Sequence, residues 1–213
     1  MTPRPATDGL LDQAIGYALR SVTAVTPDLL TRPTPCAAWD LAMLLQHACE
    51  SLAALNEGIC LGRVAPAPAR ADAPGTDAAG VFTARASRLL DAWTQFSGPW
   101  ILIGDQPLAV ADFAAAGALE IAVHGWDVAR ACELPRPIPA SLANRLLGLA
   151  PLLISDADRA AQPGPGTSAA QHFGSSVAGP PLFGPPVTVP PWASASDRLA
   201  AFLGRTRTPW RPE

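Results

Sequence analysis

Apolar residues recur at helical spacing along five stretches of the chain. Over Thr7–Ala24 they fall at Leu10, Leu11, Ile15, Ala18 and Leu19, the three-and-four rhythm that lines one face of a helix. The stretch TRPTPCAAW that follows is bounded by proline and reads as a loop. Asp40 is placed to cap a second helix, Leu41–Ile59, with a stripe at Leu41, Leu44, Leu45, Ala48, Leu52 and Leu55. Arg63–Gly75, rich in Ala and Pro, reads as a flexible connection to a third helix over Thr76–Phe96, with Val81, Leu89, Trp93 and Phe96 on its apolar side. After Gly98-Pro99 the run WILI suits a strand-like bridge. The fourth helix, Ala109–Cys132, is apolar nearly all round and should be the most buried. A fifth, Pro139–Asp158, starts on proline, where a missing N–H costs least.

Beyond it the pattern changes. Ala161–Ser194 is dense in Pro and Gly, with a short strand expected at Val187–Val189, and the final periodic segment, SDRLAAFLG, reads as a short helix ending at Gly204. The element order suits an all-α four-helix bundle with a crossover, strapped by a Pro/Gly-rich C-terminal extension and a short terminal helix. The expected division is a metal-binding bundle over residues 1–160 and an extension over 161–213 packed on it.

Composition narrows the function classes. Lys and Arg together number 15 and all are arginine, in no basic cluster, and the net charge is −3, which argues against a nucleic-acid surface. Arginine without lysine, beside heavy use of alanine, reads as coding bias of a GC-rich, actinobacterial kind. No apolar run reaches membrane-spanning length, and the first twenty residues lack a secretory pattern, so a cytoplasmic location is expected. The cysteines, Cys36, Cys49, Cys60 and Cys132, show no Cys-x-x-Cys spacing and read as free thiols.

The chemistry concentrates on the fourth helix. Glu120 and His124 are four apart and share a face, with Asp127 one step further along it. Between Asp112 and Asp127 no other side chain is charged, so a carboxylate and an imidazole on a buried helix must each find a partner. His47 borders the apolar stripe of the second helix and can face the same interior. Two histidines and a carboxylate from facing helices make a three-ligand set with open positions, which zinc uses with water and non-haem iron uses as a facial triad. The competing reading is a hydrogen-bonded core histidine beside a chance Glu-x-x-x-His.

Three segments carry a family resemblance. TPCAAWDLAMLLQHACES resembles a signature of Thr-Pro-Cys-x-x-Trp followed a short way on by His, found in the mycothiol-dependent maleylpyruvate isomerase N-terminal family, one of the DinB-like metal-binding bundles. ALEIAVHGWDVARA is similar to that family's second signature, Glu-x-x-x-His-Gly-Trp-Asp-x-Ala-Arg. The tail FGPPVTVPPWASASDRLAAFLGR resembles the C-terminal signature of a small actinobacterial subfamily. The resemblance implies metal ligands at His47, Glu120 and His124, a divalent ion (zinc, with nickel or iron as alternatives), and mycothiol as co-substrate. It implies an isomerase or S-transferase acting on a small electrophile. A non-catalytic binding module, and a metal-assisted hydrolase or cyclase, are the rival readings. The isomerase itself carries a longer C-terminal α/β domain, so its own reaction does not transfer. A monomer or homodimer that takes a small-molecule substrate, and neither nucleic acid nor membrane, is expected.

Other residues carry paired readings. Asp127 orients a ligand histidine, or else pairs with Arg130 or caps a loop; both Asp127 and Arg130 are candidates for the layer behind the ligands. Trp126 and Trp39 read as packing residues and Cys36 as a buried small hydrophobe rather than a reactive thiol. Glu50 is a fourth ligand or a solvated charge. His172 folds over the pocket or sits in a surface loop. Arg85 and Arg88 bind an anionic substrate or are solvated.

Overall fold

A computed structural model describes residues 9–36, 39–65, 77–154, 159 and 183–205. The protein is predominantly helical: α1 (Leu10–Val22), a 3-10 turn at Pro27–Leu29, α2 (Leu41–Leu61), α3 (Ala78–Gln95), α4 (Val110–Ala131), α5 (Ala140–Leu153) and α6 (Ala195–Phe202). Three short strands, β1 (Arg63–Val64), β2 (Trp100–Ile103) and β3 (Gln106–Ala109), join in the order β1-β2-β3.

Three helices, α2, α3 and α6, start where the sequence supplies a side-chain cap. Asp40 accepts the Met43 amide at 2.8 Å, Asp77 the Gly80 amide at 3.1 Å, and Ser194 the Asp197 amide at 3.1 Å. α2 ends at Gly62, whose φ of 68° turns the chain into β1. The stripes then bury. All six predicted α2 positions lie in the core, and α3 buries Phe82, Ala86, Leu89 and Trp93, with Val81 and Phe96 half-buried beside them. Every residue of α4 from Phe113 to Ala129 is buried, as its all-round apolar pattern requires.

α1 packs on α4 and α3, α2 packs on α3 and α4, and α5 bridges α4 to α6. α1 and α4 can approach closely because of Gly125: a Cβ there would lie 2.9 Å from both Cα and Cβ of Ala18. No helix among the described residues is long and apolar enough to cross a membrane.

Some expectations are corrected. WILI is a strand, but it belongs to a sheet: β2 runs parallel to β1 and antiparallel to β3, with Leu102 opposite both Arg63 and Pro107. β3 carries Pro107, tolerable because β3 is an edge. Val187–Val189 forms no strand; prolines on both sides remove the donors a ladder needs, and the Val187 amide instead bonds the Ala201 carbonyl of α6 at 2.9 Å. α5 stops at Leu153, after Pro151, short of the expected Asp158. His172 and Asp158 lie outside the described residues.

Candidate metal centre

The loop before α2 and the middle of α4 build the site. Thr34 closes that loop: its hydroxyl donates to the Trp39 carbonyl at 2.9 Å, and its amide does the same at 3.1 Å. The closure leaves Cys36 and Trp39 buried at the mouth of α2. Trp39 then lies against both imidazoles, with ring centroids 4.9 Å from His47 and 6.4 Å from His124.

His47, Glu120 and His124 come together, each offering one ligand atom, all within 4.8 Å of one another. The two imidazoles converge on a single carboxylate oxygen. His47 Nε2 is 2.6 Å from Glu120 Oε1, and His124 Nε2 is 3.1 Å from the same atom. The Ser51 hydroxyl reaches it at 3.5 Å. Behind His124, the Asp127 carboxylate accepts from Nδ1 at 3.1 Å. Asp127 is held in turn by Arg205, whose Nη2 and Nε donate to its two oxygens at 3.1 and 3.4 Å.

Charge counting shows what this arrangement needs. The buried charged residues among those described are Glu120, Asp127 and Arg205, all in this one cluster, so the interior holds one negative charge in excess. An unbalanced buried charge is costly. Asp127, kept ionised by Arg205, is an acceptor only and obliges His124 to carry its proton on Nδ1. The neutral ring would then aim its Nε2 lone pair at the lone pairs of Glu120 Oε1, a repulsive contact. A positive charge between the two resolves both problems. Without an ion, a proton supplies it. Burial alone would lower the His124 pKa, but the Glu120 carboxylate and the Asp127 hydrogen bond raise it above the ordinary imidazole range. Burial alone would raise the Glu120 pKa, yet the two imidazoles hold it well below the carboxylate range. A divalent cation also supplies positive charge there, one unit beyond the deficit, and two imidazoles with one carboxylate are donors it accepts. The residues fit such an ion.

The remaining candidates are placed elsewhere or play other parts. Arg130 is not behind the ligands: its guanidinium donates to the Leu134 carbonyl at 3.2 Å and lies over the Trp126 ring. The cation on Asp127 is Arg205, which sequence reasoning missed; the only signal was its place at the end of the tail segment. Glu50 accepts from the Gln46 amide at 3.2 Å and is not among the converging groups. Arg85 donates to the Cys49 carbonyl at 2.9 Å and so ties α3 to α2, whereas Arg88 is exposed. Burial pushes the Cys36 thiol up to about 12, so it is no thiolate at neutral pH. The three converging residues are buried, each at most 3% exposed.

Comparison with curated proteins and with solved structures finds no match. Residues 11–129 match the family model of the mycothiol maleylpyruvate isomerase N-terminal domain, a span that covers most of α1 to α4 and takes in His47, Glu120, His124 and Asp127. That span is more than half of the chain, and the protein belongs to this family.

Proposed function

We propose that the chain holds one divalent cation, zinc with nickel or iron as alternatives, on His47, Glu120 and His124. We further propose that it uses mycothiol in an isomerase or S-transferase reaction on a small electrophile. Convergence of both Nε2 atoms on one Glu120 oxygen, in an interior short of a positive charge, carries the metal part of this reading. Family membership supports the thiol part. The mutual packing of α1, α2, α3 and α4 supports a DinB-like four-helix bundle over residues 1–160, with 161–213 as an extension packed on it.

A bound divalent ion favours the deprotonated form of a thiol or water beside it, which supplies a nucleophile at neutral pH. The chain's own groups set the frame. Asp127 fixes the His124 ring, Trp39 packs on both imidazoles, and the Ser51 hydroxyl donates to the same Glu120 oxygen the imidazoles meet. Burial raises the Cys36 thiol, and this reading assigns the nucleophile to the thiol of mycothiol. Its sulfur would form a bond to the electrophilic carbon of a conjugated double bond as the π bond breaks, the electron pair passing to the adjacent carbonyl group. Expulsion of the sulfur after bond rotation gives an isomer, and its retention with uptake of a proton gives an adduct.

Burial of all three ligands favours a second reading, a module that holds its ion without turnover. Cobalt-loaded protein separates the two. Titration with millimolar mycothiol should shift the cobalt absorption bands if a thiol reaches the ion. Unchanged bands, with no stabilisation of the loaded protein, would leave the non-catalytic module. Elemental analysis tests the shared premise: close to one divalent ion per chain is expected, and His124→Ala should lose most of it. Full metal content in a His47→Ala, His124→Ala double variant would place the ion elsewhere.

A further inference from the structure

Arg205 lies 76 positions beyond the family match, which ends at residue 129, yet the residue is 3% exposed and its guanidinium meets Asp127 behind His124. We propose that Arg205 is a positioning residue of the metal centre, acting through Asp127 on His124, so that the segment 183–205 is a working part of the site. The proposal rests on the reading of His47, Glu120 and His124 as ligands.

The contacts form one chain of constraint. Arg205 presents two donors in a fixed fork, and Asp127 meets them with both oxygens. Asp127 Oδ2 is shared: it takes Nη2 of Arg205 and Nδ1 of His124, each at 3.1 Å. A carboxylate so clamped can neither rotate away nor take up the Nδ1 proton. Nδ1 therefore stays the donor, and the Nε2 lone pair is left directed at the shared Glu120 oxygen. The ring is fixed in tautomer and in orientation together. His47 has no equivalent support; its Nδ1 is buried without a hydrogen-bond partner among the described residues. One imidazole is thus hydrogen-bonded from behind, whereas the other, though packed against Trp39, has its hydrogen bond among the described residues only at Nε2.

Arg205 is itself fixed by the end of α6. Gly204 turns the chain with a φ of +78°, and a Cβ there would strike the Gly184 backbone, so the turn admits glycine alone. Past the turn, the Arg205 amide bonds the Ala200 carbonyl at 2.9 Å and Nη1 bonds the Leu203 carbonyl at 2.9 Å. The guanidinium lies over the Phe183 ring at 5.3 Å. A mere counter-ion for Asp127 would not need its backbone and side chain held this way.

The test uses the full chain. Zinc affinity is measured by competition with a chelator, and exchange of the His124 Nδ1 proton is followed by NMR of protein labelled at histidine nitrogen, with and without zinc. Arg205→Gln should weaken zinc about 10–100-fold and speed Nδ1 proton exchange. Arg205→Lys, which keeps the buried charge but not the fork, should fall between and serves where the Gln variant does not fold. Because Arg205 acts through Asp127, the double variant Arg205→Gln, Asp127→Asn should bind zinc no worse than Asp127→Asn alone. Losses that add in full overturn the proposal, as does a Lys variant equal to the unaltered protein in both quantities. The two readings fail separately. If the unaltered protein takes up no zinc while Arg205→Gln still frees the Nδ1 proton, the ligand reading falls and the coupling stands. If it binds zinc and Arg205→Gln changes neither quantity, the coupling falls and the ligand reading stands.

Discussion

His47, Glu120 and His124 could be picked out before any coordinates, because each stands as a polar residue on or beside an apolar helix stripe, where a partner is compulsory. Asp127 was visible for the same reason. Its cation was not. Arg130 is three residues away on the same helix and so seemed the natural partner, while Arg205 is separated from Asp127 by 78 positions and lies past a Pro/Gly-rich stretch without periodicity. Spacing along a helix reports only local neighbours, and the contact that matters here is made by a turn. Cys36 shows the residue scale from the side of reactivity. With its thiol pushed up to about 12 by burial, it should alkylate at pH 8 far more slowly than the exposed Cys60, read by mass spectrometry of the two peptides. The sign for stability follows: an unfolded thiol ionises near about 8.5, so the contribution is whole below that pH and declines as pH climbs toward 12. Equal labelling rates would show that the loop before α2 opens readily.

Among the elements, the helices announced themselves, while of the strands only β2 did, as the run WILI. Runs of 13 to 22 residues in α1 to α4 give the 3.6 period room to repeat, whereas β1 has two residues and β2 and β3 have four each. The packing between helices was also hidden, since it turns on single glycines. Gly125→Ala should push α1 from α4 and cost about 1–3 kcal/mol, because the new methyl meets backbone as well as side chain of Ala18. Gly148→Ala, in α5 with nothing within 4 Å of the added carbon, should instead stabilise by up to about 1 kcal/mol. Urea denaturation of the two variants checks the contrast, and equal effects would refute the close α1–α4 approach.

At the level of the whole molecule, metal, proton and stability are linked. His124 retains its proton through neutral pH in the metal-free protein, since its pKa is raised, and a metal ligand must give that proton up. Zinc uptake at pH 7 should therefore release a proton from this ring, and affinity should strengthen as pH rises and weaken in acid. Calorimetric titration in buffers of different ionisation enthalpy reads the proton count, and a heat independent of buffer would contradict the protonated ring. Binding to the folded state alone should also raise the melting temperature, by about 2.7 kcal/mol of added stability at a hundredfold excess over the dissociation constant.

The site joins residues 73 positions apart where His47 meets Glu120 and 78 apart where Arg205 meets Asp127. Synthesis delivers these in order: His47 first, the Glu120–Asp127 turn of α4 well after it, and Arg205 later still. A nascent chain can fold much of its helical core before the arginine exists, and through that interval His124 has its carboxylate partner but nothing to hold that partner in place. If His47, Glu120 and His124 hold an ion and Arg205 positions them, a chain cut short of residue 205 should bind that ion less tightly than the full one.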